Sequence, residues 1–202
     1  MKTRLLLTAL TCLASASLFA ADSPAPGSAA PDFSVTDSKG KTQSLSQYKG
    51  KTVVLEWFNP GCPFVKKHYG SDNMQKLQAE YTAKGVVWLT IDSSAPGKEG
   101  HLTAEEAEKQ IAEWKMKSTA LLLDPDGKAG QTYGAKNTPH MFIINPEGKV
   151  IYAGAIDSKA TPNPADIATS TNYVKAALDE SMGGKPVSTA STKPYGCSVK
   201  YK

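Results

Sequence analysis

Residues 52–69, TVVLEWFNPGCPFVKKHY, restrict the possible folds more than any other stretch. TVVLEWF is β-branched and aromatic, and the turn residues NPG follow it, so it reads as a buried strand. Pro63 then opens a helix, because proline in the first turn sacrifices no backbone hydrogen bond. Met74, Leu77 and Tyr81 share one face and carry that helix to about Lys84. The alternation continues downstream. GVVWLTID is a second buried strand, and TAEEAEKQIAEWKMK is a helix with Thr103 and Glu106 set as a capping box. ALLLD is a third strand, followed by a DPDG turn and a short helix to Tyr133. HMFIINPEGKVIYAGAI is a hairpin around NPEG, and residues 165–182 form a last helix. A short hairpin around SKGK precedes the first buried strand. Strands alternating with helices and closing on a hairpin predict an α/β sandwich around a mixed sheet.

The chain has 202 residues, enough for one domain with a real core, and its 40% hydrophobic and 21% charged content fits a globular protein. Lys2 and Arg4, the apolar run Leu5–Phe19 and the small residues after it read as a secretory signal peptide, residues 1–21. That run is too short to span a bilayer, so no stable membrane insertion is expected after cleavage. Residues 22–28 read as a flexible lead-in, 29–182 as the domain, and 183–202 as a polar tail without a periodic apolar face. The net charge is +4, and Lys2 and Arg4 carry two of those units. So small a balance argues against nucleic acid or an anionic membrane surface as partner. Cys12 falls in the signal segment. The mature chain therefore holds Cys62 and Cys197, and an oxidising compartment lets them pair.

Cys62 sits at the strand-to-helix turn, where unpaired helix N–H groups carry partial positive charge. A thiolate is stabilised there, its pKa falls, and attack on a disulfide or peroxide quickens.

The block PDFSVTDSKGKTQSLSQYKGKTVVLEWF with Cys62 behind it resembles the thioredoxin-like redoxins of the alkyl hydroperoxide reductase/thiol-specific antioxidant (AhpC/TSA) superfamily. The strings NPGCPFVKKHY and GCSVKY resemble a peroxiredoxin-like subgroup of it. The resemblance covers roughly residues 29–182. It implies a thioredoxin-like sandwich and an exported thiol-disulfide oxidoreductase, with a periplasmic location. Cys62 matches the first cysteine of the C-x-x-C motif, and Glu56 matches a buried carboxylate that handles protons. Thr138-Pro139 matches the cis-proline loop that faces the active cysteine and, with Pro63, holds the substrate chain. The implied partners are a substrate protein or small thiol and an electron donor; no cofactor is implied, since DPDGKAG and PEGK are ordinary turns.

Two departures follow. Val65 stands where the second cysteine of C-x-x-C belongs, so the neighbour that resolves a mixed disulfide in thioredoxins is missing. Against the peroxiredoxin pattern Pro-x-x-x-Thr-x-x-Cys, Leu55 and Asn59 replace the proline and threonine, and Arg4 is the only arginine. A weak thiol peroxidase with an antioxidant role is thus one alternative.

The tail offers another resolver. About a dozen residues of coil span roughly 20 Å, enough for Cys197 to cross one face of the domain. Either Cys197 resolves adducts on Cys62, or the two form a permanent staple; bridges closing loops above about 100 residues gain roughly 4–5 kcal/mol in the chain-entropy model. His140 follows Pro139 and faces either Cys62 or the other side of the sheet, as strand alternation dictates. A second alternative is a soft-metal site, such as copper, built from Cys62 with His140, Met141 or Cys197. Trp57 reads as core, Lys66 and Lys67 as a solvated helix face, His68 as a surface or packing residue, and His101 as a loop residue without chemistry.

Overall fold

A computed structural model describes residues 23–202; the expected signal segment and Cys12 lie outside the described residues. Seven strands form the central sheet in the order β2-β1-β5-β4-β3-β7-β8. They are β1 (Ser34–Asp37), β2 (Thr42–Ser44), β3 (Val53–Phe58), β4 (Val87–Asp92), β5 (Ala120–Leu123), β7 (His140–Ile144) and β8 (Val150–Gly154). The strand β3 runs parallel to β4, and β4 parallel to β5. The pairs β3–β7, β7–β8, β1–β5 and β1–β2 are antiparallel. The expected α/β sandwich with a mixed sheet is therefore present.

Each central strand is buried on both faces, which is why its sequence is almost continuously apolar. Alternation sorts the side chains. Val54, Phe58, Trp88, Met141 and Ile143 face one core, under α1 (Pro63–Tyr69), α2 (Asn73–Ala83), α3 (Ala104–Glu113) and α5 (Tyr173–Met182). Val53, Leu55, Trp57, Leu89, Phe142 and Ile144 face the other, closed by Leu45 and by Ala129 and Tyr133 around α4 (Lys128–Thr132). Thr103 and Glu106 form the expected capping box on α3.

Two expected helices are divided. Gly70 caps α1 by donating its N–H to Lys66 O, and Asp72 takes a left-handed backbone at φ 59° before α2 begins. Gly, Ser and Asp at 70–72 are weak helix formers, and Asp tolerates that conformation. The last helix likewise splits into a 3-10 turn (Pro164–Thr169) and α5, with Ser170 extended and Asn172 capping α5 by accepting from Lys175 N–H. Periodicity of apolar residues persists across such breaks, so it hides them.

Both ends of the described chain are tied down. Gly27 and Ala30 donate to the carbonyls of Val150 and Gly148. The tail, expected as coil, is an ordered strap. Its strand β9 (Cys197–Ser198) pairs antiparallel with β6 (Asn137–Thr138), with Cys197 opposite Thr138. No helix among the described residues is long and apolar enough to cross a membrane.

Candidate active site: Cys62 under the C-terminal strap

The turn after β3 is held by one side chain. Asn59 accepts from Gly61 N–H at 2.7 Å through Oδ1, and its Nδ2 donates to Glu99 O at 2.9 Å. Cys62 follows as the N-cap of α1, with Pro63 exposed in the first turn. The Cys62 residue is only 1% exposed. Its Sγ lies 3.1 Å from the carbonyl oxygen of Thr138, to which the protonated thiol donates. The Thr138-Pro139 bond is cis, as the resemblance implies.

The strap brings Cys197 onto Cys62. Burial opposes ionisation of Cys62, but the polar groups around its sulfur, the Cys197 thiol first among them, outweigh it, and the pKa is lowered. Burial raises Cys197 instead, and its donation to Cys62 and the charge there raise it further, to about 12. One thiol is thus poised to ionise and its neighbour to keep its proton. Both cysteines are free thiols in this structure.

Several anchors fix the strap. Thr192 Oγ1 accepts from Ala155 N–H at 2.9 Å, against Gly154, where a Cβ would collide with it. Tyr195 donates to Asp157 Oδ1 at 2.5 Å. Gly196 has φ +124°, and a Cβ there would strike the Thr138 carbonyl, so glycine permits the close approach that sets Cys197 opposite Thr138. Tyr201 lies over Gly127 and Gly130 and donates to Ala135 O at 2.8 Å. The strap therefore occupies the backbone edge at Asn137–Thr138 that the sequence assigns to a substrate chain. Thr138 and Pro139 are buried.

Under Tyr195 is a polar cluster that sequence reasoning missed. Lys67 was expected on a solvated face, yet it is 1% exposed. Its Nζ is 3.0 Å from Asp157 Oδ2 and 2.8 Å from Lys159 O, with the Tyr195 ring 5.6 Å away. His68 is buried beside it, paired with Asn73 at 2.8 Å and Tyr195 at 3.3 Å. Burial, aided by the Lys67 charge and opposed by Asp157, lowers the His68 pKa to about 4, so the ring is neutral near pH 7. The available signal was Tyr195, Val199 and Tyr201 in an otherwise polar tail, since large apolar side chains there need something to cover them.

Glu56 is fully buried in β3, as its apolar surroundings suggest. Tyr69 donates to Oε1 at 2.9 Å; Trp88 at 2.8 Å, Thr90 at 3.2 Å and Gln78 at 3.2 Å donate to Oε2. Burial raises its pKa, and these hydrogen bonds work against the rise. None of the four donors is Cys62.

Of the two faces open to His140, it takes the one away from Cys62, so it is not brought to the thiol. It pairs across from Trp57, stacks at 4.5 Å on Phe142, and its Nδ1 accepts from Lys136 N–H at 3.4 Å. Those aromatics line the core opposite Cys62. Burial, with the Lys136 charge adding, lowers its pKa to about 4. The soft-metal alternative loses His140 for the same reason and has no support among the described residues. His140 and Met141 are consecutive on β7 and face opposite sides of the sheet, and the described residues contain no metal-competent cluster of His, Cys, Asp or Glu. Trp57 is core, as read, between Tyr133 and Phe142.

Comparison with known proteins agrees with the fold. Residues 26–153 match the AhpC/TSA family model. A thiol-disulfide oxidoreductase ResA of Bacillus thuringiensis subsp. konkukian is 32% identical over 62% of this chain and 66% of its own length. This chain thus spans just under two thirds of the curated relatives it first matches. An uncharacterized conserved protein from Geobacillus kaustophilus superposes with TM-score 0.74 at 27% identity, covering 88% of this chain and 92% of that one. The thioredoxin domain of a Bacteroides vulgatus thiol-disulfide oxidoreductase gives 0.53 at 25% identity, covering 73% and 98%. With the sheet, the cysteine at the β3–α1 turn and the cis-proline loop in place, the chain belongs to the AhpC/TSA family.

Proposed function

We propose that this protein is an exported thiol-disulfide oxidoreductase in which Cys62 and Cys197 form a reversible disulfide. The observation that carries the reading is the packing of Cys197 against the core that holds Cys62, opposite the Thr138 whose carbonyl lies 3.1 Å from Cys62 Sγ, with one thiol pKa lowered and the other raised. A split of this kind supports exchange, because the thiolate with the lower pKa is the better leaving group. Cys197 supplies the second thiol of the couple that Val65 does not. The relatives' names support thiol or disulfide substrates, and the basic and apolar start of the sequence supports export to a periplasm. The anchored strap also supports a second reading, in which the bond is a permanent staple.

Thiol counting by mass spectrometry across a glutathione redox series separates the two. A Cys62–Cys197 bond titrating between about −180 and −270 mV places the protein among exchange catalysts, and one surviving below about −300 mV marks a staple. Cys62→Ser is expected to abolish exchange with a model disulfide; full activity in that variant would sink the proposal.

A further inference from the structure

The two sulfurs differ in access. Cys62 is 1% exposed and sits in one core with Phe58 and Val65, while Cys197 lies above it on β9 and keeps partial exposure. Displacement at sulfur runs in line, so an attacking thiolate approaches each sulfur from the side opposite its partner. For Cys62 that side is packed protein. Cys197, on the strap, keeps part of its surface open to solvent. Access and the choice of sulfur both set exchange rates.

On the reading that these residues form a working couple, we propose that the oxidised protein is attacked at Cys197, not Cys62, and that Cys62 is the leaving thiolate. The arrangement reverses the assignment that the sequence suggests, in which Cys62 meets the substrate first. In the first step a bond forms between the substrate sulfur and Cys197 Sγ. The Cys62–Cys197 bond breaks, and its electron pair stays on Cys62. The polar groups around Cys62, which lower its pKa, favour that thiolate. In the second step another thiolate of the same substrate attacks the substrate sulfur of the mixed disulfide. Cys197 leaves and takes up a proton released by the substrate. Two electrons pass from the substrate dithiol to the protein disulfide. The substrate class is therefore an exposed dithiol, and the protein disulfide is the electron acceptor.

The test uses the full protein oxidised with diamide, its disulfide verified by intact mass. It is mixed with a small excess of glutathione, quenched with acid at successive short times, and mapped by peptide mass spectrometry. At the earliest times glutathione is expected on the peptide bearing Cys197, at least tenfold over Cys62, with Cys62 free. First appearance of glutathione on Cys62 overturns this inference while leaving the couple intact. Failure to form the disulfide at all overturns both.

Discussion

Cys62 acquires its lowered pKa less from the helix it caps than from the strap that covers it. Among the groups that lower it, the Cys197 thiol comes first and the Val65 N–H of α1 comes last. Cys197→Ala removes that group, and with it a polar partner that favours the thiolate. The Cys62 pKa is expected to rise in the variant, followed by thiolate absorbance at 240 nm against pH. No rise would mean that the backbone donors suffice. Glu56 accepts from four side-chain donors, so Glu56→Gln replaces one acceptor oxygen with an amide N–H₂ in a site where the Trp88 and Gln78 N–H groups can only donate, although the Tyr69 and Thr90 hydroxyls can also accept. A loss of about 1–3 kcal/mol in urea unfolding is expected, from the partners left unsatisfied.

The strap is held by side chains together with scattered backbone bonds, among them Ala153 N–H to Ala190 O, Thr192 N–H to Ala153 O, Val199 N–H to Lys136 O and Ala95 N–H to Lys200 O, since β9 itself has 2 residues. Tyr195 is one of its anchors, donating to Asp157 beside buried Lys67. Tyr195→Phe keeps the ring and removes the donor. If the lost hydrogen bond, about 1.5 kcal/mol or more to a charged acceptor, is transmitted to Cys197, the disulfide becomes easier to reduce by roughly 30 mV. A glutathione titration reads the shift directly; an unchanged potential would assign the positioning of Cys197 to Gly196 and the β6–β9 pair. Asp157→Ala is the harsher change. It leaves Lys67 buried without its partner, and breaking such a pair costs about 3–5 kcal/mol.

For the molecule as a whole, two buried histidines oppose acid conditions. His68 and His140 both fall to about 4 from an ordinary value of 6.5, because burial penalises the charged ring. The unfolded chain therefore takes up protons first as pH drops. The stability held by each neutral ring is complete above about 6.5 and is lost as pH falls toward 4, by roughly 2–3 kcal/mol per histidine. Asp92 works in the other sense, raised to about 6 by burial, so its contribution is present at low pH and lost as pH rises. The difference between variants isolates the histidines. His140→Gln is expected to unfold in urea with a flatter pH dependence between 6.5 and 4 than the parent protein. It is also expected to leave thiol exchange unchanged, since His140 lies on the face away from Cys62.

The strands, the helix beginning at Pro63, the capping box at Thr103 and the cysteine at the turn were all legible along the chain. Each depends on neighbours a few residues apart: alternation, a proline at a first turn, a Thr–Glu pair at fixed spacing. The helix breaks at 70–72 and 170–172 were less legible, because the apolar period continues through them. Other features depend on residues far apart in sequence. The face that His140 takes follows from its register with Trp57. The burial of Lys67 follows from Asp157, 90 positions away. The order of the tail follows from glycines at 127, 130 and 154 that make room for Tyr201 and Thr192. No local pattern encodes such contacts, because their free energy exists only once the sheet has brought both partners to one place. The same is true of the site: the sequence supplied two cysteines, and the packing of the strap set which sulfur is inside.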